Sequence, residues 1–175
     1  MTQPFSRPDD WTKWISEGTN TGLQMAMVTP TFLEDKPDLK TEGSASAMIY
    51  FSGKVSGSFF LNMDKEALLY LAGEMLMEEQ SEINEDVIDA LGEIANLTAG
   101  ATKDVLQAAG IEVEGISCPS VMLGSSFQMF HTPDTRLQSV TFSLDGMEGL
   151  PEDKRKFSIN VALVSPGADP DSNPL

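Results

Sequence analysis

Basic residues are scarce in this sequence, with 11 Lys and Arg against 27 Asp and Glu, and the formal net charge at pH 7 is -16. Phosphate backbones and anionic lipid surfaces repel a chain of this charge at long range, so we expect neither a nucleic-acid partner nor a membrane partner. No stretch of about 18 apolar residues occurs, and no basic segment followed by an apolar one opens the chain. These absences argue against a spanning helix and a secretory signal, and they predict a cytoplasmic protein.

Soft metal ligands are nearly missing, because the chain has one cysteine, Cys118, and one histidine, His131. A single cysteine cannot form an internal disulfide, and these two residues do not make a zinc site. We therefore expect no metal centre. Since no histidine lies close to Cys118 in the sequence to activate it, we expect a buried core thiol rather than a nucleophile.

The hydrophobic content of 41% over 175 residues is enough for one domain with a single core. Proline-containing polar segments at both ends predict a flexible tail over residues 1–8 and a disordered tail over residues 165–175. The folded domain is therefore expected over residues 9–164. We expect the methionines, including Met25, Met27 and Met77, to pack in its core.

The first half of the chain predicts a helix, a β-hairpin and a second helix. The first helix is expected to begin at Asp9 or Asp10, which are good caps, and to end before Pro30. Residues 46–63 alternate as two strands joined around Ser52-Gly53, and Asp64 is expected to cap a helix over residues 65–77.

The second half predicts one long helix followed by strands. The helix covers residues 84–109, with Asn84 as its cap, and the expected strands lie within residues 111–123, 125–130, 136–144 and 156–164. A charged loop, residues 146–156, separates the last two. The repeated order of helix and strands suggests two pseudo-duplicated halves, and it predicts an α/β fold, layered in the α+β sense, with a largely antiparallel sheet packed by long helices.

One polar stripe of the long helix stands out, because its members follow spacings of four, three, four and three and so point to the same side: Asp89, Glu93, Asn96, Gly100 and Lys103. An amphipathic helix always has a polar face, so a plain solvated surface is the simpler interpretation. Asn and Gly are nevertheless poor helix formers, and Gly92 and Gly100 flank the Glu93/Asn96 pair. We expect the small residues Gly92 and Ala99 to let a partner approach the helix closely.

The same residues form a known motif. Asp89, Glu93 and Asn96, followed by twenty-two residues and then Pro119, match the order Asp or Ser, three residues, Glu, two residues, Asn, twenty-two residues, Pro. This motif marks the CheC/CheX/FliY family of bacterial chemotaxis phosphatases, which the sequence resembles over roughly residues 9–164. The resemblance implies a CheC-like fold.

The first half carries an incomplete copy of the motif, Glu17 and Asn20, which precede Glu93 and Asn96 by 76 residues. Lys13 replaces the expected Asp or Ser, and Gly43 stands where Pro would fall. With one intact motif the sequence resembles the CheX type, which implies a homodimer with one active surface per subunit. Glu17 and Asn20 are either a degenerate second site or ordinary surface residues.

The resemblance also implies a reaction: hydrolysis of the phospho-aspartate of a CheY-like response regulator that carries its own Mg²⁺, with no cofactor on this protein. Asn96 would orient the attacking water, as a glutamine does in GTPases, and Glu93 would pair with the regulator's active-site lysine. Asp89, Gly92 and Gly100 would belong to the partner-binding surface. Pro119, in a strand, would be a structural determinant, since proline has no donor to offer.

Two other classes of function remain open. A protein of the same fold could be an adaptor that binds a receiver domain or another signalling protein without hydrolysing it. An α/β domain could instead bind a small ligand in a pocket lined by methionines, although the sequence offers no convergent polar cluster for such a pocket.

Overall fold

The computed structural model describes residues 8–36, 43–124, 131 and 135–164. Its helices are α1 (Pro8–Met25), α2 (Lys65–Leu76) and α3 (Glu85–Ala108), with a 3₁₀ turn at Glu152–Arg155. Its strands are β1 (Pro30–Lys36), β2 (Ala45–Gly53), β3 (Ser56–Met63), β4 (Val113–Ile116), β5 (Ser120–Leu123), β6 (Thr135–Leu144) and β7 (Lys156–Val164). The predicted C-terminal tail, residues 1–7 of the predicted N-terminal tail and the predicted strand over residues 125–130 lie outside the described residues.

The strands form one seven-stranded antiparallel sheet in the order β1-β6-β7-β3-β2-β4, and β5 also pairs with β2. This order is symmetric about the central β7–β3 pair. Strands β1, β2 and β3 of the first half of the chain occupy positions equivalent to those of β4, β6 and β7 of the second half. Each half contributes a long helix and the strands that follow it. The antiparallel sheet packed by long helices is therefore confirmed, and its strand order has the symmetry that two duplicated halves would give.

The helices cover one face of this sheet. Alternate residues of the central strands join the core, including Phe59 and Leu61 of β3 and Ile159 of β7, and the helices add Ile15 and Leu91. All five side chains are buried. The core therefore lies between the sheet and the helix layer, and it holds α3 by its apolar face.

Helix α1 differs from its prediction at its first residue, and two glycines within it have a packing role. It begins at Pro8, one residue before the expected caps, because proline suits the first helical position, where its missing N–H leaves no bond unmade. Gly18 and Gly22 do not interrupt the helix. They lie against Thr102 and Thr98 of α3, where the two helix backbones are too close for any side chain.

Strand β1 was not predicted. It begins at Pro30 and, among the described residues, pairs only with β6, with an irregularity between Phe32 and Glu34. Most of its residues are exposed, so it lacks the alternation that identifies a half-buried strand. Proline at the first position of an edge strand is a normal placement, because no ladder hydrogen bond is lost there.

The hairpin and α2 follow the prediction with two local differences. Strand β2 continues through Ser52-Gly53, so the turn falls at residues 54–55. Asp64 occupies the N-cap position of α2, but its side chain does not cap the helix. Its carboxylate instead accepts a hydrogen bond of 2.9 Å from Lys154 Nζ.

Among the described residues, no helix is long and apolar enough to cross a membrane.

The methionines do not all lie in the core. Met63 is buried, but Met25, Met27 and Met77 are among the most exposed apolar side chains of the described residues. The prediction that they pack internally is wrong because each stands at or just beyond the end of a helix, where its side chain passes the edge of the core.

Candidate functional site

The site is built on α3, whose start is defined by its cap. The side-chain oxygen of Asn84 accepts a hydrogen bond of 2.9 Å from the Val87 backbone N–H, and Glu85 and Asp86 lie in the first turn beside the positive end of the helix dipole. The predicted cap is thus confirmed. The cap fixes where the helix begins, and the packing of its apolar face on the core decides which residues point away from the core.

The predicted polar stripe lies on the outer side of α3. Asp89 and Glu93 are exposed, and Asn96 is half-buried. Glu93 and Asn96 are three residues apart, which is about 4.5 Å along the axis of a helix. Neither side chain hydrogen-bonds any described residue. The carboxylate and the carboxamide therefore stand side by side and are free to bond to a partner.

Pro119 reaches this helix from the sheet. The prediction placed it in a strand, but β4 ends at Ile116 and β5 begins at Ser120, and both pair with β2. Pro119 lies in the interruption, because it cannot donate to the ladder. Ser117 holds the interruption against β2: its N–H donates to the Tyr50 carbonyl at 2.9 Å, and the Tyr50 N–H donates to Ser117 Oγ at 3.0 Å.

Pro119 packs beside Gly92. A Cβ on Gly92 would lie 3.4 Å from Pro119 Cγ and 4.0 Å from Val121 Cγ2, so both side chains pack over the glycine. Gly92 is consequently buried. Pro119 and Val121 of the same chain take up part of the space over Gly92, which still lines the groove described next, so its place in a partner-binding surface stays a prediction.

The residues around this contact line a groove of about 490 Å³, which we call the α3 groove. Asp89, Glu93 and Asn96 form its helix side, and Cys118 and Pro119 form its sheet side. Cys118 is exposed, so the prediction of a core thiol is wrong. Cys118 lies in the interruption between β4 and β5, outside the alternation of either strand, and no periodicity in the sequence marks that interruption.

A second groove, of about 690 Å³, runs between α1 and α3, and we call it the α1–α3 groove. Trp14 and Glu17 of α1 face Asn96 and Gly100 of α3 across it. Asn96 therefore lines both grooves. Asn20 lines neither of these two grooves, so it does not share one of them with Glu17 as Asn96 shares the α3 groove with Glu93.

The residues that line the α3 groove carry negative charge. Asp89 and Glu93 contribute carboxylates, and none of the described lining residues is Lys or Arg. The nearby Lys103 is already paired with Asp104 at 2.8 Å. No group of three or more His, Cys, Asp or Glu residues within the described ranges could hold a metal ion. The carboxylates of Asp89 and Glu93 make the groove suited to a cationic group.

These features define a class: a mixed α/β domain with an antiparallel sheet of symmetric strand order, in which the outer side of a core helix carries an acidic side chain and a carboxamide beside an interruption between two strands that contains a proline. The chain belongs to the family described as chemotaxis phosphatase CheX, whose family model matches residues 45–144. The matched segment contains the whole motif from Asp89 to Pro119.

Solved structures of this fold are similar over most of the chain. A CheX chemotaxis protein from Desulfovibrio desulfuricans is 21% identical, with a TM-score of 0.73 and coverage of 88% of this chain and 99% of that one. CheX in a CheX–CheY–BeF₃–Mg²⁺ complex from Borrelia burgdorferi is 22% identical, with a TM-score of 0.72 and coverage of 89% and 99%. FliY from Thermotoga maritima is 16% identical, with a TM-score of 0.61 and coverage of 92% of both chains.

At these identities the structural comparison establishes the fold and not the residue roles. Among curated protein sequences, we found no match to this chain.

Proposed function

We propose that this protein hydrolyses the phospho-aspartate of a CheY-like response regulator. The observation that carries the proposal is the pair of free side chains, Glu93 and Asn96, standing together at the α3 groove of a CheX-family chain. The complex from Borrelia burgdorferi contains CheX together with CheY, which supports a receiver domain as the class of partner. We place the reaction in the cytoplasm.

Asn96 is the proposed catalytic residue. In hydrolysis, the oxygen of a water molecule attacks phosphorus, the bond from phosphorus to the aspartyl oxygen breaks, and aspartate and inorganic phosphate are released. The Asn96 carboxamide can accept a hydrogen bond from that water and donate another to the phosphoryl group, which holds the water in line. Because an acyl phosphate is already activated, positioning supplies most of what the reaction needs, and the Mg²⁺ resides on the receiver.

Glu93 is the proposed docking residue. Its exposed carboxylate has no cation beside it on the α3 groove, so it can pair with the lysine of the receiver's active site. A hydrogen bond to a charged group contributes about 1.5–3 kcal/mol when the contact excludes water. Asp89, one turn earlier, adds to the negative field that attracts that lysine.

The remaining motif residues have supporting roles in this proposal. Pro119 packs on Gly92 and holds the sheet side of the groove in place. Gly100 leaves the α1–α3 groove open beside Asn96, where it gives the receiver room. We further propose a homodimer with one such surface per subunit, and that Glu17 and Asn20 do not make a second active site.

The test is the decay of a phosphorylated CheY-type receiver, loaded from a small phosphodonor in Mg²⁺, with and without this protein. Wild-type protein is expected to accelerate decay. Asn96→Ala is expected to abolish the acceleration while leaving the protein folded and able to bind, since Asn96 makes no hydrogen bond to a described residue and alanine is the better helix former. Gln107→Ala is the matched control, because Gln107 is an exposed carboxamide on the same helix.

Glu93→Lys separates docking from chemistry. A lysine facing the receiver's lysine is expected to weaken association itself, measured by titration of the receiver in the presence of BeF₃ and Mg²⁺. Unchanged affinity would remove Glu93 from docking. Receiver binding with no acceleration of decay by the wild-type protein would contradict the phosphatase and establish the adaptor instead.

A further inference from the structure

A groove of about 850 Å³, separate from the α3 groove, lies between the ends of α1 and α2 and the loop after β6. Its apolar lining includes Met27 after α1, Leu69 in α2, Met77 after α2, and Met147 and Leu150 in the loop. We call it the methionine groove. None of the motif residues lines it, so its function is independent of the proposed phosphatase site.

The two helix ends at this groove use methionine where glycine is usual. After α1, the Met27 N–H donates to Gln24 O at 3.1 Å and the Val28 N–H donates to Leu23 O at 3.0 Å, and Met27 has φ 61. After α2, the Met77 N–H donates to Glu74 O at 3.4 Å, and Met77 has φ 54. This left-handed closing turn favours glycine, because a Cβ is strained there.

Burial does not compensate for that strain. The Met27 side chain is 59% exposed and the Met77 side chain is 79% exposed. Both strained residues face the same groove although they follow different helices. Strain at exposed positions is characteristic of binding surfaces, where the contact that offsets it comes from another molecule.

The rim of the methionine groove is strongly acidic. Glu66, Glu74, Glu78 and Glu79 line it, and none of its lining residues is Lys or Arg. Lys154 lies beside this rim, with its Nζ 3.9 Å from the Glu66 carboxylate. Burial, and after it the Glu74 carboxylate, raises the pKa of the Tyr70 hydroxyl, consistent with the negative potential at this rim.

We infer that the methionine groove is a docking site for a basic amphipathic helix of a partner protein. Methionine side chains are flexible and polarizable, so they adapt to the apolar stripe of such a helix, and the glutamates of the rim match Lys and Arg on its flanks. An acidic peptide or an anionic lipid surface would be repelled.

The first test uses a defined probe: a fluorescent Leu/Lys peptide with leucines at helical i, i+3, i+4 and i+7 spacing. Its fluorescence anisotropy is measured as the full chain is added. We expect it to bind about tenfold more tightly than a scrambled peptide of the same composition, and its Glu-for-Lys counterpart not to bind. Equal binding of the scrambled peptide would overturn the inference, because it would show unspecific attraction to an acidic chain.

Variants then locate the contact. Met27→Gly and Met77→Gly are each expected to lower peptide affinity about tenfold while thermal stability stays equal or rises, because glycine suits the left-handed turn. Met25→Ala is the matched control: Met25 is 60% exposed but lines the α1–α3 groove instead. Unchanged affinity in both glycine variants, or an equal loss in Met25→Ala, would overturn the inference.

Self-association is distinguished by methionine-methyl NMR of the free chain at several dilutions. We expect the methyl signals of Met27 and Met77 to stay unchanged on dilution and to shift when the Leu/Lys peptide is added. Shifts of both signals on dilution would mean that a second copy covers the groove, which would overturn the proposed occupant.

Discussion

We predict opposite effects on stability for the substitution of glycine by alanine at Gly22, in the contact between α1 and α3, and at Gly100, in the groove beside that contact. A Cβ on Gly22 would lie 2.5 Å from Thr98 Cα and 2.8 Å from Thr98 N. A Cβ on Gly100 would meet only Ile116 Cδ1, at 3.9 Å. The first clash is with backbone, which no side-chain rotation relieves, and the second is an ordinary van der Waals contact.

The magnitudes follow from these distances. Replacing a helical glycine by alanine stabilises a helix by about 1 kcal/mol, and Gly100→Ala should gain that amount. Gly22→Ala gains the same propensity but must separate the two backbones by about 1 Å, and overpacking of that kind costs about 3 kcal/mol. We therefore expect Gly22→Ala to be destabilised by about 2 kcal/mol, which leaves the two variants about 3 kcal/mol apart.

Thermal and urea unfolding of both variants would measure this difference. For a chain of this size, we expect Tm to rise by about 2–4 °C in Gly100→Ala and to fall by about 4–8 °C in Gly22→Ala. A Gly22→Ala protein as stable as the wild type would refute the close contact of α1 and α3. It would also remove the reason why Trp14 and Glu17 lie beside Asn96 across the α1–α3 groove.

Two further predictions concern the thiol and the pH dependence. Cys118 should react with a bulky thiol reagent in the folded protein, because it is exposed. The adduct should block receiver dephosphorylation, because it would fill the α3 groove beside Asn96. An adduct without effect on the decay of the phosphorylated receiver would contradict this prediction, and Cys118→Ser is the control. Burial, with the nearby carboxylates, raises the pKa of Tyr70 above its ordinary value of 10.0, and its hydroxyl donates to Asp145 O at 2.8 Å. A raised pKa stabilises the fold fully below the unfolded value, and the contribution is lost as pH rises through the folded value. The urea midpoint should therefore fall more steeply above about pH 10 in the wild type than in Tyr70→Phe, and equal slopes would refute the assignment.

Helix α3 and its polar stripe could be predicted because their determinants are local. The Asn84 cap acts on Val87, three residues on, and the stripe depends on a period of about four residues. The repeated order of helix and strands was also visible in the sequence. Strand β1 was not, because its exposed residues carry no alternation and its place is decided by pairing with β6, far along the chain.

The sequence by itself determined the long capped helix, the side of it that Asp89, Glu93 and Asn96 share, and the motif that predicts the family. Only the tertiary structure decided what surrounds them. Pro119 over Gly92, the exposed Cys118 and the pairing of Met27 with Met77 in one groove all depend on where separate elements meet. Helical periodicity acts over three or four residues, whereas grooves arise from the register of strands and the distance between helices, which the whole core decides together.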